Sequence, residues 1–143
     1  MENYLELRER QQQEINTLPI RWAFSNDQFR QVLKDFELTE DNMNLLVRIP
    51  GGGFMLKTET YLLHEMYKRH DQERQQAIDA DKTGDGFCFE MLEYELGNHE
   101  YIITGDLEPA MDALGLSLED FKKSEKLQNA MRKAIKAQRD PVI

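Results

Sequence analysis

Hydrophobic positions in this chain recur mostly at helical spacing. Phe29, Val32, Leu33 and Phe36 fall three and four residues apart, which predicts an amphipathic helix over 26–36. Its start is marked twice. Ser25 can cap while Gln28 reaches back, the pattern of a capping box, and Phe24 and Phe29 stand at the flanking positions of a hydrophobic staple. The longest helical stretch runs from Thr58 to Ala80, with Leu62, Leu63, Met66, Tyr67, Ala77 and Ile78 as apolar contacts. Its middle, KRHDQERQQ, is polar on every side and is expected in water. Phe87, Met91, Tyr94 and Leu96 predict another helix over 87–99. Asp106 caps the next, which carries Pro109 in its first turn and ends at Gly115. Ser117 opens a short helix. Ser124 caps the last, with Leu127, Ala130, Met131, Ala134 and Ile135 on one stripe.

Two stretches break the period. Leu45–Ile49 and Phe54–Leu56 flank Pro50-Gly51-Gly52-Gly53, a β-hairpin signal. The segment LPIRWAF reads as an extended connector, with Pro19 restricting Leu18. At the N-terminus, Glu2–Asn16 reads as a polar helix whose only anchors are Tyr4, Leu5, Leu7 and Ile15. The predicted fold is mainly α (α+β), a single compact domain of about five to six helices with one small hairpin. It covers residues 1–143, with 1–16 as a protruding N-terminal helix and 121–143 as a basic C-terminal helix. A chain of 143 residues fits one such domain.

Charge changes the picture more than composition does. The net charge is −9 and is unevenly placed. Residues 59–120 hold 16 acids and 4 bases, whereas residues 121–143 hold 2 acids and 7 bases. From Thr83 to Phe121 there is no Lys or Arg, and ten acids occur there. Such a field repels nucleic acid and attracts basic surfaces. No stretch approaches the roughly 18 consecutive apolar residues of a membrane span. The polar N-terminus lacks the apolar core of a secretory signal, so the expected setting is cytoplasmic. The lone Cys88 excludes an internal disulfide and any cysteine-cluster zinc site, and its neighbours Phe87 and Phe89 predict a buried structural thiol.

Several segments resemble reactive motifs without completing them. The loop DADKTGDGFCFEML has carboxylates two apart and glycines, like an EF-hand. Starting at Asp81 places Asp81, Thr83, Asp85 and Gly86 correctly but puts Leu92 where a bidentate Glu belongs. Starting at Asp79 supplies Asp79, Asp81, Thr83 and Glu90 but puts Gly86 at the apolar position. A helix end, a glycine turn and an acidic cap account for the same residues without metal. The triple glycine is not a P-loop, because Phe54 and Met55 follow it and Lys57 comes too late. His64 and His70 lie six residues apart, about 120° from superposition on a helix, so they cannot share one face. His99-Glu100 could join His64-Glu65 as a metal or hydrolytic centre if their helices run antiparallel. No nucleophile or nucleotide signature appears, so the chain is read as a non-enzyme with no cofactor and no resident metal.

The segments LHEMYKRH, DKTGDGF, YELGNHEYIITGD and ALGLSLEDF, with RQQQE and AFSNDQF upstream, carry a resemblance across nearly the whole chain. They resemble a group of small acidic proteins of unassigned chemistry carried by conjugative transposons and related mobile elements of Gram-positive gut bacteria. That resemblance implies a bacterial accessory protein and transfers no catalytic residue. Three roles follow. The first is an acidic interaction protein, an anti-defence factor that imitates nucleic acid in the basic groove of a host enzyme. Asp85, Glu90, Glu93, Glu95, Glu100, Asp106, Glu108 and Asp112 would carry it. The second is a metal-dependent enzyme or metal-binding regulator using His64, Glu65, His99 and Glu100. The third is a structural or regulatory partner of the conjugative machinery, with Tyr4, Leu5 and Leu7 offering a homodimer surface. The expected partner is a protein with a basic surface. Neither nucleic acid on the acidic face nor a membrane is expected.

Overall fold

The computed structural model describes residues 2–140; the basic C-terminal helix expected over 121–143 therefore includes three positions, 141–143, that lie outside the described residues. In chain order the elements are α1 (Tyr4–Ile15), β1 (Arg21–Trp22), α2 (Asn26–Asp35), β2 (Leu46–Ile49), β3 (Gly53–Leu56) and α3 (Thr60–Ala80). Then follow α4 (Phe87–Asn98), α5 (Tyr101–Thr104), α6 (Glu108–Leu114), α7 (Leu118–Lys122) and α8 (Glu125–Arg139). Short 3-10 turns precede β2 and α3. The architecture is mainly α with one small antiparallel sheet. None of the described helices is long and apolar enough to cross a membrane. Two compact units divide the chain, one formed by residues 10–72 and the other by residues up to 9 together with those from 73 onward. The division falls inside α1 and inside α3.

In the unit of residues 10–72, the strand order is β1-β3-β2. The predicted hairpin is β2–β3, pairing Val47 with Met55 and Ile49 with Gly53. Alternation sends Met55, Gly53 and Ile49 to a buried face, where they meet Ile20, Leu63 and Met66. Each of the three glycines has its own role. Gly51 and Gly52 take φ of 91° and 96°, which β-carbon sterics oppose, while Gly53 has no space for a Cβ beside Ile49 and Ile20. The connector LPIRWAF bends at Leu18 and Pro19 and is extended at Arg21–Trp22, where it gains a role the pattern did not reveal. Arg21 and Trp22 pair with Phe54 and Gly53, making the hairpin a three-stranded sheet.

Helix α2 begins as its sequence dictates. The Ser25 hydroxyl accepts from the Gln28 N–H, and the Gln28 side chain accepts from the Phe24 N–H. The staple does not close. Phe24 stays 75% exposed, and Phe29 turns onto the Phe54 ring at 5.0 Å.

In the other unit α4 is the central helix. Cys88, Met91, Leu92 and Leu96 are fully buried on it. Around them pack Ala110, Met111 and Leu114 of α6 and Leu127, Ala130, Met131 and Ala134 of α8. Buried apolar side chains of this size contribute about 1.5–3 kcal/mol each, so α4 and its neighbours dominate the stability of this unit. The caps of the last two helices follow the predicted pattern. Ser117 and Asp120 form a capping box at α7, and Ser124 accepts from the Leu127 N–H at α8. Two of the expected anchors of the N-terminal helix pack here. Tyr4 and Leu7 are buried in this core, which leaves only Leu5 of the proposed dimer surface exposed.

Candidate functional site

Helical geometry puts a carboxylate inside this second unit. On α4, the core positions 88, 91, 92 and 96 recur at three and four, and position 95 shares their face. Glu95 is therefore 4% exposed. Its oxygens are taken up by polar groups around it. The Tyr4 hydroxyl donates to Oε1 at 2.6 Å, Arg8 Nε lies 3.7 Å from the same atom, and His99 Nε2 lies 3.3 Å from Oε2. The Arg8 guanidinium also covers the Tyr94 ring at 5.0 Å. Burial, then the bond to Glu95, pushes the Tyr4 phenol far above its ordinary range, so it remains a proton donor. Removing one partner of such a network leaves a buried charge uncompensated. Its evident work is to hold the start of α1 onto α4.

The loop between α3 and α4 is a second polar device. Asp81 accepts from the backbone N–H groups of Gly84, Gly86 and Cys88. Burial alone would raise its pKa, but these three donors outweigh it and hold the carboxyl below its ordinary range. Since Cys88 lies in the first turn of α4, Asp81 caps that helix from outside it. The other residues of the EF-hand-like set each make a hydrogen bond as well. Asp79 accepts from Gln75, Thr83 from the Asp85 N–H, and Glu90 from the Leu5 N–H at 3.5 Å. Asp85 accepts from Lys133 at 2.5 Å and from Asn129, and these bonds, the Lys133 bond foremost, lower its pKa. Gly84, at φ 86°, abuts the Lys126 carbonyl of α8. The loop thus joins α3, α4 and α8 through its own carboxylates.

The exposed acids cluster elsewhere. Helix α5 has four residues and is bracketed by two left-handed positions, Glu100 at φ 58° and Gly105 at φ 69°. This bracketing turns Tyr101 inward, where its hydroxyl accepts from Arg139, and leaves Ile102 and Ile103 at 58% and 78% exposure. Glu100, Asp106, Glu108 and Asp112 are exposed around them in sequence. A non-glycine residue in the left-handed region costs on the order of 1 kcal/mol.

In the unit of residues 10–72, a cluster forms around Glu14. Arg69 holds its carboxylate through two bonds of 3.0 and 2.6 Å, and His70 Nε2 lies 3.5 Å from Oε2. The Arg69 bonds lead in holding the Glu14 carboxyl below its ordinary range. His70 is 6% exposed, and its Nε2 has no hydrogen-bond partner among the described residues.

The chain matches the Family of unknown function (DUF7659) over residues 3–137. The chain belongs to DUF7659. No curated protein and no solved structure matches it.

Against this geometry, the sequence-predicted residues of this DUF7659 chain separate into distinct groups. Glu95 is withdrawn from the acidic surface because its helix face is apolar, and Asp85 is engaged by Lys133. Glu90 and Glu93 are half-buried, while Glu100, Asp106, Glu108 and Asp112 are exposed. His64 and Glu65 are exposed on α3 within residues 10–72, whereas His99 and Glu100 belong to the other unit. The polar middle of α3 is not fully solvated, since His70 is buried. Spacing could have revealed it, because Leu63, Met66 and His70 stand at i, i+3 and i+7. The same rule applied to Cys88, Met91 and Leu92 would have placed Glu95 inside.

Proposed function

We propose that this protein is a non-enzymatic interaction module whose binding surface is the segment 100–112, and that its partner is a protein with a basic surface. One observation carries the reading. Two isoleucines are held out to solvent on a short, bracketed helix within a run of 39 residues, 83–121, that contains no lysine or arginine. Exposed apolar side chains flanked in sequence by exposed acids suit a partner that offers apolar pockets among cations. Acids give steering and orientation, and the isoleucines give desolvated contact. The resemblance to mobile-element proteins makes a host nucleic-acid-binding enzyme the natural class of basic partner, with the acids standing in for phosphates in an anti-defence role.

Charge reversal tests this reading. Glu100→Lys, Asp106→Lys and Glu108→Lys are combined and compared with a matched triple, Glu37→Lys, Glu40→Lys and Asp41→Lys, at exposed sites in the other unit. Quantitative affinity purification from the cells that carry the protein should lose a basic partner with the first triple and keep it with the second. Equal retention by both would refute the assignment.

A further inference from the structure

The unit of residues 10–72 has a binding surface of a different kind. Arg21, Phe54 and Arg48 form one row across its three strands, since Arg21 pairs with Phe54 and Phe54 with Arg48. All three therefore project from the face opposite Met55. On that face a groove of about 930 Å³ opens between α2 and the sheet, lined by Phe24, Phe29, Met43, Arg48 and Phe54 among others. Phe24 and Met43 are exposed there, and Arg48 is the one charged residue among those lining the groove.

The two arginines of the row differ. Arg21 has an acidic neighbour, Asp35, at 3.6 Å. Arg48 lies over the Phe54 ring at 5.7 Å and has no acidic partner among the described residues. Its strand, β2, is an edge, for the sheet order is β1-β3-β2 and no further described strand joins it. An edge strand presents backbone donors and acceptors ready to pair.

We propose that β2 accepts an extended segment of a partner protein as a fourth strand, with an acidic side chain opposite Arg48 and apolar side chains two residues to either side entering the groove. Three observations converge on that occupant. The edge supplies the backbone pairing, the period of two sends alternate side chains to the groove face, and the row Arg21–Phe54–Arg48 extends directly to the position opposite Arg48. Charge complementarity then fixes the residue type there, because one cation of the row is already matched and the other is open. This site is independent of the acidic surface at 100–112.

The test is selection of random 12-residue peptides displayed on phage against the full-length chain, followed by titration of the enriched peptides. The expected motif alternates apolar residues around one Asp or Glu. Arg48→Glu should weaken binding by about tenfold, as an attractive cross-strand pair becomes a repulsive one, and renewed selection on that variant should favour Lys or Arg at the same position. Arg48 is exposed, so Arg48→Glu leaves the core intact, which circular dichroism checks. N-methylation of alternate peptide backbone nitrogens should abolish binding in one register only. The proposal is overturned if no peptide is enriched or if the enriched peptides lack an acid. It is equally overturned if binding is indifferent to Arg48→Glu, or if light scattering shows a dimer that Arg48→Glu converts to monomer.

Discussion

Tyr4→Phe examines the buried network most cleanly. It removes one hydroxyl and keeps the ring, which meets Phe87 and Tyr94 at centroid distances of 5.8 Å each. No cavity forms, so the change isolates the 2.6 Å bond to Glu95. A hydrogen bond to a charged acceptor contributes about 1.5–3 kcal/mol, and we expect a loss of about 2 kcal/mol. Glu95→Leu should cost about the same, because it leaves the Tyr4 hydroxyl buried without an acceptor. The double variant removes both polar partners and should cost clearly less than the sum of the singles, with a coupling of about 2 kcal/mol. Urea unfolding measures all four proteins, and amide exchange over residues 4–9 reports whether α1 has loosened. A coupling below about 0.5 kcal/mol would refute the claim that this pair holds α1 to α4.

Other consequences are equally open to measurement. Asp81→Ala strands three backbone donors at the start of α4 and should cost roughly 2–3 kcal/mol in urea unfolding. Because the folded Asp81 carboxyl titrates below its unfolded value, its contribution is complete above about pH 4 and is lost as pH falls through the lowered folded value. Asp81→Asn should therefore flatten the acid side of the stability profile, seen by unfolding at pH 2–6. Burial, aided by Asp81, pushes the Cys88 thiol up to about 12, so a thiol reagent at pH 8 should label it only as the protein unfolds, at a rate that follows urea concentration. Glu100→Gly relieves a left-handed glutamate and should raise stability by roughly 0.5–1 kcal/mol while weakening partner binding, a combination that thermal unfolding and affinity purification read together.

The readable parts of this fold are those written locally. Ser25, Ser117 and Ser124 cap because a short hydroxyl next to an apolar run has few other uses, and Gly115 ends α6 in the left-handed region as its position demands. The proline and glycines at 50–53 announce a turn between two apolar runs. Pairing of β1 with β3 was not legible, because two residues carry no period and their partner lies some thirty positions away. The N-terminal helix misled for a related reason. Tyr4 and Leu7 look too few to anchor a helix until Glu95, a residue that composition assigns to the surface, is found beneath them. Among the acidic candidates, local pattern could separate Glu95 from the rest, but only the tertiary fold shows Asp85, still exposed, paired with Lys133.

The proposed binding surface at 100–112 is tested most directly by photo-crosslinking from position 103. A benzophenone amino acid there, and another at the exposed Tyr61 of the other unit, compare two solvent-facing positions in the same protein under the same light. Crosslinks from position 103 to one protein with a basic surface, weakened by added salt and absent from position 61, are the predicted result. Equal crosslinking from both positions, or none from 103, would contradict it.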